Sequence, residues 1–220
     1  MRLTHFDHSC LLVERDGARI LFDPGDFSHG FDGITGLDAI LITHQHPDHA
    51  DPDRLPALVE GNPDAALYTD PQTAALLGDP WTAVFPGDEF RIGKVRATGA
   101  GGVHAVIHPD MPLIDNTAFF LGTADNPYEF LHPGDSLFVP AKAVPEQSVD
   151  VLAFPAAAPF LRIGDAIDYL RAMKPRVAVP IHQGMLNDHG RKLHYSRYTA
   201  LGPSDTEFRV LPLESSTEVS

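Results

Sequence analysis

Residues 38–49 constrain this chain more than any other segment. Asp38 to Thr43 (DAILIT) reads as a buried strand, and it runs straight into His44-Gln45-His46-Pro47-Asp48-His49. Proline has no N–H for a central ladder, so the strand must end there. Three imidazoles and a carboxylate therefore sit within six residues, on a loop that leaves a strand end. Residues two apart in extended backbone point the same way, so His44 and His46 can face one metal ion. Asp48 and His49, past the turn, can reach a second one nearby. Neutral imidazole and carboxylate suit zinc, and also iron or manganese, in catalytic sites that keep a water position open. The bland alternative is a histidine-rich surface loop.

The rest of the chain supplies the frame for that loop. Cys10 to Glu14 and Ala18 to Phe22 are short apolar runs separated by Arg15-Asp16-Gly17, and Asp-Gly between such runs signals a hairpin. Asp23-Pro24-Gly25 ends the second run. Pro52 to Glu60 reads as a helix with Asp51 or its neighbour as cap, Ala65 to Thr69 as a strand and Pro71 to Leu77 as a short helix. Several strands follow between Ala83 and Leu131. Val149 to Phe154 is a strand, Ile163 to Met173 an amphipathic helix, and Arg176 to Ile181 a strand ending at His182. Glu207 to Leu213 reads as a final strand, and the tail from Glu214 as frayed. Pro140 to Ser148 is the most linker-like stretch, and it is short. Strands dominate and helices are interspersed in both halves, which predicts an α/β layered sandwich of two mixed sheets with helices outside. At 220 residues a single domain over 1–213 is expected, with 214–220 as a disordered tail.

Charge and composition narrow the function. Sixteen Lys and Arg against 30 Asp and Glu give a net charge of −14, a field that repels phosphate backbones, so no nucleic-acid partner is expected. Twelve histidines point to proton chemistry or metal binding, and 20 prolines to many short elements joined by fixed turns. The single cysteine, Cys10, cannot close an internal disulfide and sits inside an apolar run, as a small core residue would. The first residues have no apolar stretch of signal length, and no run approaches a membrane span. A soluble, cytoplasmic protein is the expectation. Oligomeric state is not readable, with a homo-oligomer the general prior.

Thr43-His44-Gln45-His46-Pro47-Asp48-His49 resembles the THxHxDH signature of the metallo-β-lactamase superfamily. The likeness extends along nearly the whole chain. His8-Ser9-Cys10-Leu11-Leu12-Val13-Glu14 and Leu21-Phe22-Asp23-Pro24-Gly25 are similar to the branch of metal-dependent hydrolases that includes ascorbate-6-phosphate lactonase. His132-Pro133-Gly134-Asp135-Ser136 resembles the carboxylate motif, and Val179-Pro180-Ile181-His182-Gln183-Gly184 the final histidine motif. The resemblance implies a four-layer αββα metallo-β-lactamase sandwich with the site at one edge between the sheets.

It also implies a ligand set. His44, His46 and a later histidine would hold one metal; Asp48, His49 and His182 the other; Asp135 would bridge both. The later histidine comes from Gly101-Gly102-Val103-His104-Ala105-Val106-Ile107-His108. His104 fits the third motif best, and His108 is left as a substrate ligand, a proton donor or a plain loop residue. Asp23 is expected to steady a ligating histidine, or to be a simple turn aspartate. His8 is expected to line the pocket, or to be a buried structural residue. His189, His194, Tyr195 and Tyr198 carry no catalytic expectation, and Asp26 to Gly36 and Asn187 to Tyr198 read as variable substrate loops.

The implied activity is hydrolysis of a small-molecule ester, lactone or phosphodiester at a dinuclear centre of Zn2+, with Mn2+ or Fe2+ as alternatives, and Asp48 orienting the attacking oxygen. A metal-binding sensor or assembly protein of the same fold is the competing reading. Several antibiotic-hydrolysing relatives use a late cysteine ligand, which this chain lacks. Flavin-linked di-iron members have glutamate where His46 stands. Glyoxalase-II-type thioesterases add a helical glutathione region that this tail does not resemble. The processing nucleases need added tRNA-gripping or nuclease-specific parts, and the charge opposes them too.

Overall fold

The computed structural model describes residues 1–140 and 149–219, so the linker-like stretch lies, beyond Pro140, outside the described residues. Two seven-stranded sheets face each other. In spatial order the first comprises Thr217–Glu218, Arg2–His5, Leu11–Arg15, Ala18–Phe22, Ala39–Ile42, Ala66–Thr69 and Thr82–Ala83, and the second Glu207–Phe208, Val177–Ile181, Val151–Pro155, Phe130–His132, Thr117–Gly122, Val95–Gly101 and Glu89–Ile92. In the first sheet, β1 (Arg2–His5), β2 (Leu11–Arg15) and β3 (Ala18–Phe22) form an antiparallel meander. β4 (Ala39–Ile42), β5 (Ala66–Thr69) and β6 (Thr82–Ala83) continue it in parallel. The β2–β3 turn places Asp16 at φ 51° and Gly17 at φ 87°, the paired left-handed conformation that a two-residue hairpin requires.

The second sheet starts with β7 (Glu89–Ile92), β8 (Val95–Gly101) and β9 (Thr117–Gly122), antiparallel to one another. β10 (Phe130–His132) pairs antiparallel with β9, while β11 (Val151–Pro155), β12 (Val177–Ile181) and β13 (Glu207–Phe208) run parallel to it. Helices α1 (Leu55–Glu60) and α2 (Pro71–Leu77) accompany the first sheet, and α3 (Ile163–Met173) and α4 (Asp188–Leu201) the second.

Three apolar clusters separate the four layers. Leu11, Ile20, Phe22 and Leu41 meet Phe119, Phe130, Val151 and Val179 between the sheets. Ile40, Ile42 and Leu67 pack with Leu55 and Leu58 under α1. Leu152, Phe154 and Ala178 pack with Ile167, Leu170 and Tyr198 under α3 and α4. Strands β4, β11 and β12 are buried on both faces, which is why their sequences are continuous apolar runs. The αββα sandwich expected from the sequence is the fold observed.

Four details differ from the sequence reading. The helix expected from Pro52 begins at Leu55, because Asp51 Oδ1 accepts from Asp53 N at 2.9 Å and closes a turn ahead of it. The final strand shortens to Glu207–Phe208. Asn187 to Tyr198, read as a substrate loop, instead caps and forms most of α4: Asn187 accepts from Gly190 N at 2.9 Å, and Tyr198 is buried. The tail is not frayed: β14 (Thr217–Glu218) pairs antiparallel with β1, and Val219 is buried in the intersheet core.

Candidate metal centre

The strand ends bring the predicted residues together. Thr43 and His44 follow β4, Asp23 follows β3, Asp135 lies three residues past β10, and His182 follows β12. His104 lies on the loop after β8. Two groups of donors result, the members of each offering atoms within 4.8 Å of one another: His44, His46, His104 and Asp135 in one; His8, Asp48, His49 and His182 in the other. Asp135 faces both. Its Oδ1 is 3.3 Å from His49 Nε2, and its Oδ2 is 3.2 Å from His182 Nε2 and 3.5 Å from His104 Nε2.

The rings are oriented from behind. The Nδ1 atoms of His104 and His182 lie 2.6 Å from the carbonyls of Ala105 and Ala157, so both donate there and turn Nε2 inward. His49 Nδ1 is 2.7 Å from Asp23 Oδ2, and His44 Nδ1 is 3.1 Å from the Thr43 hydroxyl, which itself donates to Asp23 at 2.8 Å. Asp23 is fully buried and also accepts from Thr43 N at 2.7 Å. It thus steadies His49 directly and His44 through Thr43, the outer support that fixes imidazole tautomer and direction at metal sites. His46 differs, since its Nδ1 approaches His44 Nε2 at 3.0 Å.

Asp135 depends on Gly134 and Asn116. Gly134 is left-handed at φ 60°, and a side chain there would overlap Asn116 and Thr43. Asn116 accepts from Asp135 N at 2.9 Å and donates to the Pro133 carbonyl at 2.9 Å. No motif marked Asn116. It sits one residue before β9, and only the folded register brings it to the turn.

Electrostatics show what the cluster demands. Burial disfavours ionised Asp135, yet His182 and His49 hold its carboxyl well below the usual carboxylate range. Burial likewise opposes charge on His182, but Asp135 and Asp48 outweigh it and push that imidazole up to about 9. His49 is raised in the same way by Asp135 and Asp23, against burial. His44 moves the other way, lowered by burial and by His49 beside it. The buried carboxylates call for positive charge at the point where the rings converge. Moreover, His49 Nε2, His104 Nε2, His182 Nε2 and Asp135 Oδ1 are buried, and although these ring nitrogens lie 3.2–3.5 Å from the Asp135 carboxylate, none is angled to form a hydrogen bond. Orphaned buried polar atoms are rare and need an explanation. Four of them gathered about the Asp135 carboxylate, in two adjoining donor groups, are what cation ligands look like, and the donor types suit divalent transition metals.

The remaining predicted residues divide. His8 is buried, with Nε2 3.0 Å from Asp48 Oδ2. His108 is outside both groups, with its side chain 62% exposed, and shares a shallow cleft with His46 and His104. His194, on α4, reaches the Ala156 carbonyl at 3.0 Å, one residue from the carbonyl that orients His182.

Residues 2–182 match the family described as Beta-lactamase superfamily domain. The chain is 55% identical to the Mycobacterium tuberculosis protein Rv0786c, over 98% of each chain. It is 28% identical to a Carboxydothermus hydrogenoformans protein named UPF0173 metal-dependent hydrolase, over 88% of this chain and 93% of that one. Among solved structures it is similar in fold to a metallo hydrolase of the archaeon Ignicoccus hospitalis, with 19% identity and a TM-score of 0.72 over 98% of this chain and 97% of that one.

Proposed function

We infer, from the fact that this chain belongs to the β-lactamase superfamily and from its two converging donor groups, that it is a metal-dependent hydrolase acting on an ester, lactone or phosphodiester of a small molecule. The observation that carries the reading is the set of orphaned inward atoms on His49, His104, His182 and Asp135. His44, His46 and His104 would hold one ion, Asp48, His49 and His182 the other, and Asp135, facing both groups, would be shared. Bound divalent ions, zinc being the simplest choice and manganese or iron accepting the same donors, would supply Lewis acidity and lower the pKa of a water from 15.7 to about 7.

The chain's own groups supply placement. Asp48 keeps 21% of its side chain exposed, so it can meet both solvent and substrate at the mouth of the site. Its carboxylate accepts the hydrogen bond of the attacking water and aims the oxygen at the carbonyl carbon or phosphorus. His46 is likewise half-buried, whereas His44, His49 and His182 are buried. The partial exposure of Asp48 and His46 favours catalysis over a sensor with a closed site. The test is turnover of a lactone, an aryl ester and a bis-aryl phosphodiester by protein stripped with chelator and then reloaded. Hydrolysis of at least one, restored only on reloading, is expected. Full metal uptake with no turnover of any of the three would favour the non-catalytic reading.

A further inference from the structure

We propose that His8 is a positioning residue that holds Asp48 by donating from Nε2, and that Gly184 dictates which nitrogen of His8 carries the proton. The inference rests on reading Asp48, His49 and His182 as a metal site. Proximity alone would make His8 a fourth donor of that group, since its ring belongs to the same cluster. The hydrogen bonds argue otherwise. Gly184 N lies 3.2 Å from His8 Nδ1, and a backbone N–H can only donate, so Nδ1 must accept. In a neutral imidazole the proton then sits on Nε2, 3.0 Å from Asp48 Oδ2. For Nε2 to bind a metal, the proton would have to move to Nδ1 and face the Gly184 N–H, donor against donor. His8 therefore orients a ligand and is not one.

The backbone is shaped for this contact. Asp7 and His8 are consecutive left-handed residues, with φ 64° and 46°, a conformation that crowds Cβ against the following carbonyl oxygen. Such strain persists where surrounding bonds over-determine it, and it gathers at functional sites. Here Asp7 Oδ1 accepts from His8 N and from Gln183 Nε2, both at 2.8 Å. The His8 carbonyl accepts from His182 N at 2.8 Å. The loop is thus tied to the same turn that carries His182 and Gly184. Phe27 packs edge-on against the His8 ring at 5.1 Å, and the His182 ring lies 4.0 Å away. Gly184 has no room for a side chain, because a Cβ would come within 2.9 Å of His8 Nδ1.

The experiment compares His8→Phe, His8→Gln and Gly184→Ala with the parent. Zinc affinity is measured by competition with a chromophoric chelator, and visible absorption is recorded for the Co2+-loaded proteins. Loss of an outer-shell partner typically weakens metal binding about 10- to 100-fold. That loss is expected for the weaker of two ions in His8→Phe and Gly184→Ala. His8→Gln, which keeps a donor near the Nε2 position, should recover most of the affinity and keep the parent Co2+ spectrum. Nitrogen-15 spectra of the metal-free parent should show the His8 proton on Nε2.

Tight binding of both ions by His8→Phe would overturn the inference. So would a changed Co2+ spectrum with loss of one ion in His8→Gln, which would make His8 a ligand. A proton found on Nδ1 would also overturn it, and that measurement holds even where a variant folds poorly. A parent that takes up no second ion would refute the metal-site reading itself, and this inference with it.

Discussion

His104 and His108 show how four positions separate a buried donor from a surface residue. His104 is buried, its Nδ1 tied to the Ala105 carbonyl and its Nε2 facing Asp135. The ring of His108 is in solvent, its Nδ1 accepting from Asp110 N at 3.1 Å. We expect His104→Ala to lose one metal ion per chain or bind it far more weakly, and His108→Ala to keep both and at most alter substrate affinity. Elemental analysis of the two variants decides the matter, and the reverse pattern would move the ligand to His108. Asp48→Asn should lower turnover about a hundredfold while the protein still folds, since Asp48 is partly exposed and its replacement opens no core cavity. Unchanged turnover with metal bound would remove Asp48 from the mechanism. These residues were legible because short motifs carry them. The Asn116 brace and the His8–Asp48 bond were not, since each joins residues distant in sequence through a fold that no local pattern encodes.

At the scale of elements, sequence legibility follows apolar content. β4, β11, β12 and α3 announce themselves by continuous or amphipathic apolar runs, and the structure places them there. Helix α4 does not, because DHGRKLHYSRYTAL is mostly polar, holds Gly190 in its first turn and buries only Tyr198. Helices of this kind owe their stability to docking. Tyr198 supplies the dock, with its hydroxyl donating to the Ala156 carbonyl at 2.5 Å and its ring set edge-on to Phe154. Tyr198→Phe should cost about 1 kcal/mol, the worth of one net hydrogen bond. Tyr198→Ala should cost about 3–5 kcal/mol, as truncation of a large buried aromatic does. Urea unfolding measures both, and a Tyr198→Ala variant as stable as the parent would mean that α4 is not anchored this way. β14 escaped notice for another reason: it is two residues long, and its partner β1 lies at the opposite end of the chain.

Across the whole molecule, the donor groups and the fold stabilise each other. The orphaned atoms lie on segments that follow strands of both sheets, so a cation there would tie the segments after β4, β8, β10 and β12 together. An ion that binds only the folded chain adds about 4 kcal/mol when its free concentration is a thousand times its dissociation constant. For a domain of this size that corresponds to a midpoint shift of roughly 10 °C. Scanning calorimetry should show a fall of that order on chelation and its recovery on reloading, and an unaltered midpoint would argue against a cation in the native fold.

Two metal ions, held by His44, His46, His104, Asp135, Asp48, His49 and His182, are proposed to enable hydrolysis. The most direct test is a stepwise titration of chelator-stripped protein with zinc, following bound metal and hydrolysis of a lactone, an aryl ester and a phosphodiester in the same samples. Uptake should saturate at two ions per chain, and hydrolysis of at least one substrate should rise from nothing to a plateau at that ratio. Hydrolysis by the stripped protein equal to that of the loaded one, or no uptake of metal at all, would contradict it.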